Sequence, residues 1–264
     1  MIKYLMPYKK VAENIGSRTI AILEEFGKTI ALAVEVIRDI TRGKANLKLT
    51  LEQMVKIGVG SLPLALVTSA FVGMVFAVQI AGEFVRFGAG KFVGGVMSVG
   101  IARELGPAIT GIVVAARVAA AIAAELGTMK VTEQIDALKS LGVSPVRYLI
   151  IPRFIAAAAM LPLLTIFADV VGFGGGYLVA TYFGKINSVQ YLETSQVLLK
   201  LWDVYGGLVK TVIFGMIIAI IACYKGLNAK GGARGVGEAT TQSVVTSLLC
   251  LFVVNYFLSI LFFK

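Results

Sequence analysis

Five charged side chains stand inside apolar stretches of this sequence: Arg103 and its neighbour Glu104, Arg117, Asp169 and Lys210. A charge placed in lipid is expensive and is kept where it faces a partner, a cavity or a substrate. Arg103 and Glu104 are adjacent, so on a helix they point about 100° apart and cannot both face one neighbour. A Glu104–Lys210 pair and an Asp169–Arg117 pair are the combinations expected if these charges are structural. Other chemistry is excluded by residue type. The chain has no His, which removes His general bases and His-containing metal sites. Cys223 and Cys250 lie in separate apolar segments and read as small packing residues, not as a disulfide or metal framework. No metal and no cofactor is expected. Without an obvious Ser–Lys or paired-carboxylate constellation, a lipid-modifying membrane enzyme is a minor alternative. The run from Gly231 to Gly237 looks like a phosphate cradle but lacks the Gly-Lys-Ser/Thr ending and any βαβ context, so it reads as a tight turn.

The elements that must carry these residues are membrane helices. The 264 residues are 58% hydrophobic, with a mean hydropathy of +0.86, and apolar runs of about 20 residues, the length of a bilayer span, recur. Alternating strands of a β-barrel are not seen. The sequence predicts an all-α integral membrane protein with about five spans: 58–82, 101–124, 154–184, 206–224 and 239–263. Glu83 to Gly100 reads as a far-side turn or a re-entrant piece. Ahead of the spans, residues 1–57 form an N-terminal region. In it Ile15, Ile22, Phe26, Ile30, Val34 and Ile37 recur at helical spacing between charges, and Leu47 to Ile57 is a second amphipathic piece. Both suit the membrane interface. Residues 58–264 form the membrane domain. No cleaved leader is expected at Met1 to Lys10.

The net charge of +10 does not point to nucleic acid, because the basic residues flank apolar segments. With a cytoplasmic N-terminus, seventeen Lys and Arg fall on the cytoplasmic side and five on the other, the bias of the positive-inside rule.

One polar stretch interrupts the spans. Glu125 to Gly142 leaves span two, and between Val131 and Leu141 it reads as a short amphipathic helix. Val131, Ile135 and Leu138 share a face, and Gly142 and Pro145 stop the helix. The segment from Asp136 to Gly142, with Pro152 ten residues on, resembles the "EAA" loop of ABC permeases. The match narrows with Arg103-Glu104-Leu105-Gly106-Pro107, Ala123-Ala124-Glu125-Leu126-Gly127-Thr128-Met129, Thr132-Glu133-Gln134-Ile135-Asp136-Ala137 and the run from Gly232 to Thr241. Together these resemble the MlaE (YrbE) permease family, the membrane subunits of Mce/Mla-type lipid ABC transporters, over about Gly58 to Lys264.

That resemblance implies a homodimer in the cell inner membrane that moves phospholipid and serves outer-membrane lipid asymmetry. Its partners would be cytoplasmic ABC ATPases, a periplasmic MCE lipid-binding protein and, in some systems, a STAS-domain protein. ATP hydrolysis would belong to the ATPase, so this chain would be no enzyme. The coupling helix would span about 125–142, with Glu125, Met129, Lys130, Glu133, Asp136, Leu138 and Leu141 as coupling residues. A headgroup site open to the far side would be rimmed by Arg103, Glu104 and Lys210, with Gln79. Arg117 and Asp169 would be structural. The alternatives are an ABC permease for another hydrophobic or small solute, which would want a more polar lining, and a non-transporting scaffold.

Overall fold

The computed structural model describes residues 6–43 and 46–264. The chain forms two compact units divided between residues 44 and 45, each described by itself. No β-strand occurs among the described residues.

The first unit is one helix, α1 (Met6–Thr41). Phe26, Ile30, Val34 and Ile37 are exposed along it, and Lys28 reaches back to Glu24 at 2.7 Å. Of the stripe read from the sequence, the Ile15 and Ile22 side chains lie outside the described set, as do residues 1–5.

The second unit is built from α2 (Leu47–Arg86), α3 (Gly90–Val131), α5 (Val146–Tyr182), α7 (Leu201–Leu227) and α8 (Gly232–Phe263), all long and apolar enough to cross a membrane. Two short helices join them, α4 (Gln134–Ser140) and α6 (Ser188–Leu198). This is an all-α membrane protein with five such helices among the described residues. The connections at 132–145 and 228–231 mark what we call the near end. Those at 87–89 and 183–200 mark the far end.

Helix α2 begins where the Asn46 side chain accepts from the Leu49 amide at 3.3 Å. It runs unbroken through residues 57 and 58, across a π-helical turn at Val55–Val59. The glycine-rich stretch before residue 100 is the start of α3, covered by α6. Gly94 lies against the Tyr191 backbone there, where a Cβ would have no room. Val93, Met97, Ala77, Ala81, Ala180 and Tyr191 form the far-end core.

Small residues set the spacing of the helices, as expected where apolar solvent gives no squeeze and contact must come from close approach. A Cβ on Gly73 of α2 would overlap the carbonyl of Gly172 on α5, and one on Gly215 of α7 would overlap Ala157 of α5. Helix α7 is the central one, with 67% of its most apolar window buried, against 11% for α8. The outer face of α8, with Leu249, Phe252, Val253, Tyr256 and Phe257, is exposed. Further π-helical turns lie at Ile101–Leu105, Ala115–Ala119 and Val146–Ile150. Such turns break the regular hydrogen-bond ladder and are frequent at functional positions.

Candidate functional site

At the far end, the π-helical turn of α3 points Arg103 and Glu104 at different partners. Lys210 of α7 is fully buried and donates to Glu104 Oε1 at 2.8 Å, to the Ser259 hydroxyl at 2.7 Å and to the Arg103 carbonyl at 3.0 Å. Three acceptors satisfy the three donors of an ammonium. The Phe263 ring lies 4.7 Å from the Lys210 nitrogen. Asn255 of α8 donates to the other oxygen of Glu104 at 3.2 Å. Arg103 instead takes Asp203, with Nη2 to Oδ1 at 2.8 Å. Asp203 is buried and accepts the Lys200 amide at 2.9 Å, capping α7. Trp202 donates to the Phe262 carbonyl at 3.0 Å, tying α7 to α8 beside the cluster.

The cluster therefore joins α3, α7 and α8, and only part of it is open. The Lys210 and Asp203 side chains are 0% and 2% exposed, whereas Glu104 and Arg103 are 42% and 35% exposed. Glu104 and Arg103 present opposite charges at the surface, and apolar helices flank them. Asp203, Asn255, Ser259 and Phe263 are members that the sequence reading did not name. Asp203 carried a signal: a carboxylate three residues into an apolar helix, at capping spacing. Gln79 is exposed on α2 and is not one of the residues that the cluster joins.

Arg117 and Asp169 do not pair, which corrects one expectation. Arg117 donates to the Ser61 hydroxyl at 2.9 Å and to the Lys56 carbonyl at 3.3 Å, both on α2. Asp169 sits against Gly106, whose missing Cβ makes the space, and its Oδ1 has no hydrogen-bond partner.

The near end holds the polar connection, divided differently from the single 125–142 helix expected. Residues 125–131 continue α3. The helix breaks at Thr132 and Glu133, where Glu133 takes a left-handed φ of 60°, and α4 follows as a separate seven-residue helix. Asp136 binds Lys130 at 2.9 Å and Lys139 at 3.3 Å. Those hydrogen bonds, Lys130 first, hold its carboxyl below the ordinary value. Ile135 is buried, Leu138 and Met129 are half-buried, and Leu141 is 78% exposed. Glu133, Leu141, Val143 and Tyr148 thus stand outward. Glu125 does not join that outward face. It meets Arg153 of α5 at 2.8 Å and Lys56 of α2 at 3.7 Å.

Among the described residues, a bundle of five apolar helices with a part-open polar cluster at one end and an exposed polar connection at the other is a multi-pass membrane protein. Comparison with known proteins defines it further: residues 50–261 match the family described as Permease MlaE, and the chain belongs to that family. A Synechocystis protein named "Probable ABC transporter permease protein" is 48% identical over 233 residues, 88% of this chain and 89% of the relative. A Rickettsia bellii protein of the same designation is 43% identical over 254 residues, covering 96% and 98%. The Arabidopsis thaliana protein TRIGALACTOSYLDIACYLGLYCEROL 1, chloroplastic, is 43% identical over 235 residues, 88% of this chain and 67% of the relative. The chain is an ABC transporter permease.

Proposed function

We propose that this permease moves phospholipids or related lipids between the inner membrane and a periplasmic MCE lipid-binding protein, as a homodimer driven by separate cytoplasmic ATPase subunits. A STAS-domain protein is a further partner in this reading. The N-terminus is cytoplasmic, so the near end faces the cytoplasm and the far end the periplasm. Helix α1 (Met6–Thr41) lies along the interface, and the helices from Leu47 onward form the permease domain. The observation that carries the reading is the half-exposed Arg103–Glu104 pair at the periplasmic end of apolar helices. A phospholipid brings charges of both signs in its head and apolar tails behind it, and this surface offers a match for each. The Arabidopsis relative supports a lipid cargo, since its name is that of a glycerolipid. Lys210, with its donors satisfied, positions Glu104 and is not itself the headgroup contact. At the cytoplasmic end, Glu133, Leu141 and Tyr148 form the surface for the ATPase, with Lys130, Asp136 and Leu138 bracing it.

The test is transfer itself. The permease is co-purified with its ATPase and reconstituted in vesicles containing fluorescent phosphatidylethanolamine, and acceptor protein is supplied outside. ATP-dependent gain or loss of the fluorescent lipid by the acceptor is expected. An assembled complex that hydrolyses ATP and moves no lipid in either direction would refute the proposal.

A further inference from the structure

We propose that Glu125 is a positioning residue that transmits movement of the near-end connection to spans one and three, through Lys56 and Arg153. The proposal rests on the reading that residues 132–145 dock an ATPase.

Glu125 lies six residues before the end of α3, so about 9 Å of rigid helix separates it from the connection. Its carboxylate divides between two other helices. Oε2 meets Arg153 Nη2 of α5 at 2.8 Å, and Oε1 meets Lys56 Nζ of α2 at 3.7 Å. Arg153 is 4% exposed and therefore cannot leave for solvent. It also donates from Nη1 to the Leu149 carbonyl at 2.6 Å, inside the π-helical turn Val146–Ile150 that opens α5. One guanidinium thus holds both the end of α3 and the irregular turn of α5. On the other side, Lys56 belongs to the π-helical turn of α2. Its carbonyl takes a second tie from Arg117, which sits in the π-helical turn Ala115–Ala119 of α3.

Each tie therefore ends at a turn where the backbone ladder is already interrupted. A regular helix resists a local change of pitch, whereas a π-helical turn has an alternative register within reach. A pull on Glu125 would shift α2 and α5 at these turns without unwinding either. A plain staple between two helices needs neither the shared carboxylate nor irregular turns at its anchor points. The acidic side chain is 44% exposed, so removing Arg153 does not strand it in an apolar setting, and the link can be cut without forcing the fold apart.

The experiment measures fluorescent phosphatidylethanolamine transferred per ATP hydrolysed, in vesicles holding the permease with its ATPase. Arg153→Gln should assemble, keep ATP hydrolysis, and lower that ratio by about tenfold, a loss typical of a broken coupling between sites. Glu125→Gln, which keeps the shape and loses the charge, should move the ratio the same way by a smaller factor. Lys56→Gln, at the longer contact, should have the least effect. A wild-type ratio in assembled Arg153→Gln overturns the proposal. If Arg153→Gln does not assemble, Glu125→Gln decides: a lowered ratio supports the link and an unchanged ratio overturns it. Hydrolysis without any ATP-dependent transfer by the wild-type complex would instead refute the transport reading.

Discussion

Exposure within the Glu104–Lys210 pair predicts an order among variants. Glu104→Leu leaves a fully buried ammonium with only neutral partners, the Arg103 carbonyl and the Ser259 hydroxyl. Stripping one member of a buried ion pair costs about 3–5 kcal/mol. Lys210→Leu leaves a carboxylate that is 42% exposed and still accepts from Asn255. Its loss is that of the hydrogen bonds made by Lys210, about 1–3 kcal/mol, and the Ser259 hydroxyl still donates to the Asn255 carbonyl at 2.8 Å. The double variant removes both charges, and exchange of a buried pair for apolar residues is often neutral, so a change of about 1 kcal/mol or less is expected. Thermal unfolding of the purified variants followed by fluorescence reads this order, because the one tryptophan, Trp202, is anchored beside the cluster. Glu104→Leu should unfold first, Lys210→Leu next, and the double variant close to the parent. If Lys210→Leu proved as damaging as Glu104→Leu, or the double variant worse than either, the burial argument would be refuted. On the proposal that Glu104 meets the headgroup, lipid transfer should still be lost in the stable double variant. Full transfer by that variant would place the pair among purely structural contacts.

Three further outcomes are expected. Gly73→Ala should lower stability by about 1–3 kcal/mol, since its Cβ meets backbone that cannot yield, while Gly82→Ala, with open space around it, should not; equal unfolding midpoints would count against the α2–α5 contact. In a background lacking Cys223 and Cys250, Glu193→Cys should label with an impermeant thiol reagent from outside and Lys230→Cys should not, and reversed labelling would overturn the orientation; Asn187 is the poorer probe because it caps α6. Leu141→Asp and Glu133→Lys should each reduce ATPase co-purification by about tenfold, the effect of losing an exposed anchor residue, and unchanged recovery of both would remove this surface from the docking reading.

Most of the architecture was legible, because a bilayer permits few solutions and apolar length alone marks the spans. Depth in the membrane explains which charge pairs form once the structure supplies the helix ends. Counted from the far end of each helix at 1.5 Å per residue, Glu104 and Lys210 differ by roughly 7 Å, within the reach of a lysine side chain. Arg117 and Asp169 differ by roughly 20 Å on the same count, beyond any side chain. On the span limits read from the sequence, 101–124 and 154–184, the same two residues differ by only about 2 Å in depth, so the mismatch appears only once the structure extends span two back to Gly90. The π-helical turns could not have been foreseen, since an extra residue in a turn leaves no compositional mark and is fixed by neighbouring helices. The same holds for Glu125. Its position on α3 makes an outward, docking role natural, but its side chain, still 44% exposed, meets Lys56 and Arg153, which arrive at the same place from 69 residues before it and 28 after it. Sequence places a charge at a depth on one helix. The partner that gives it a role is chosen by how the other helices pack, and here that choice separates Glu104, held by Lys210 and Asn255 with one face open, from Glu125, which meets Lys56 and Arg153 of two other helices.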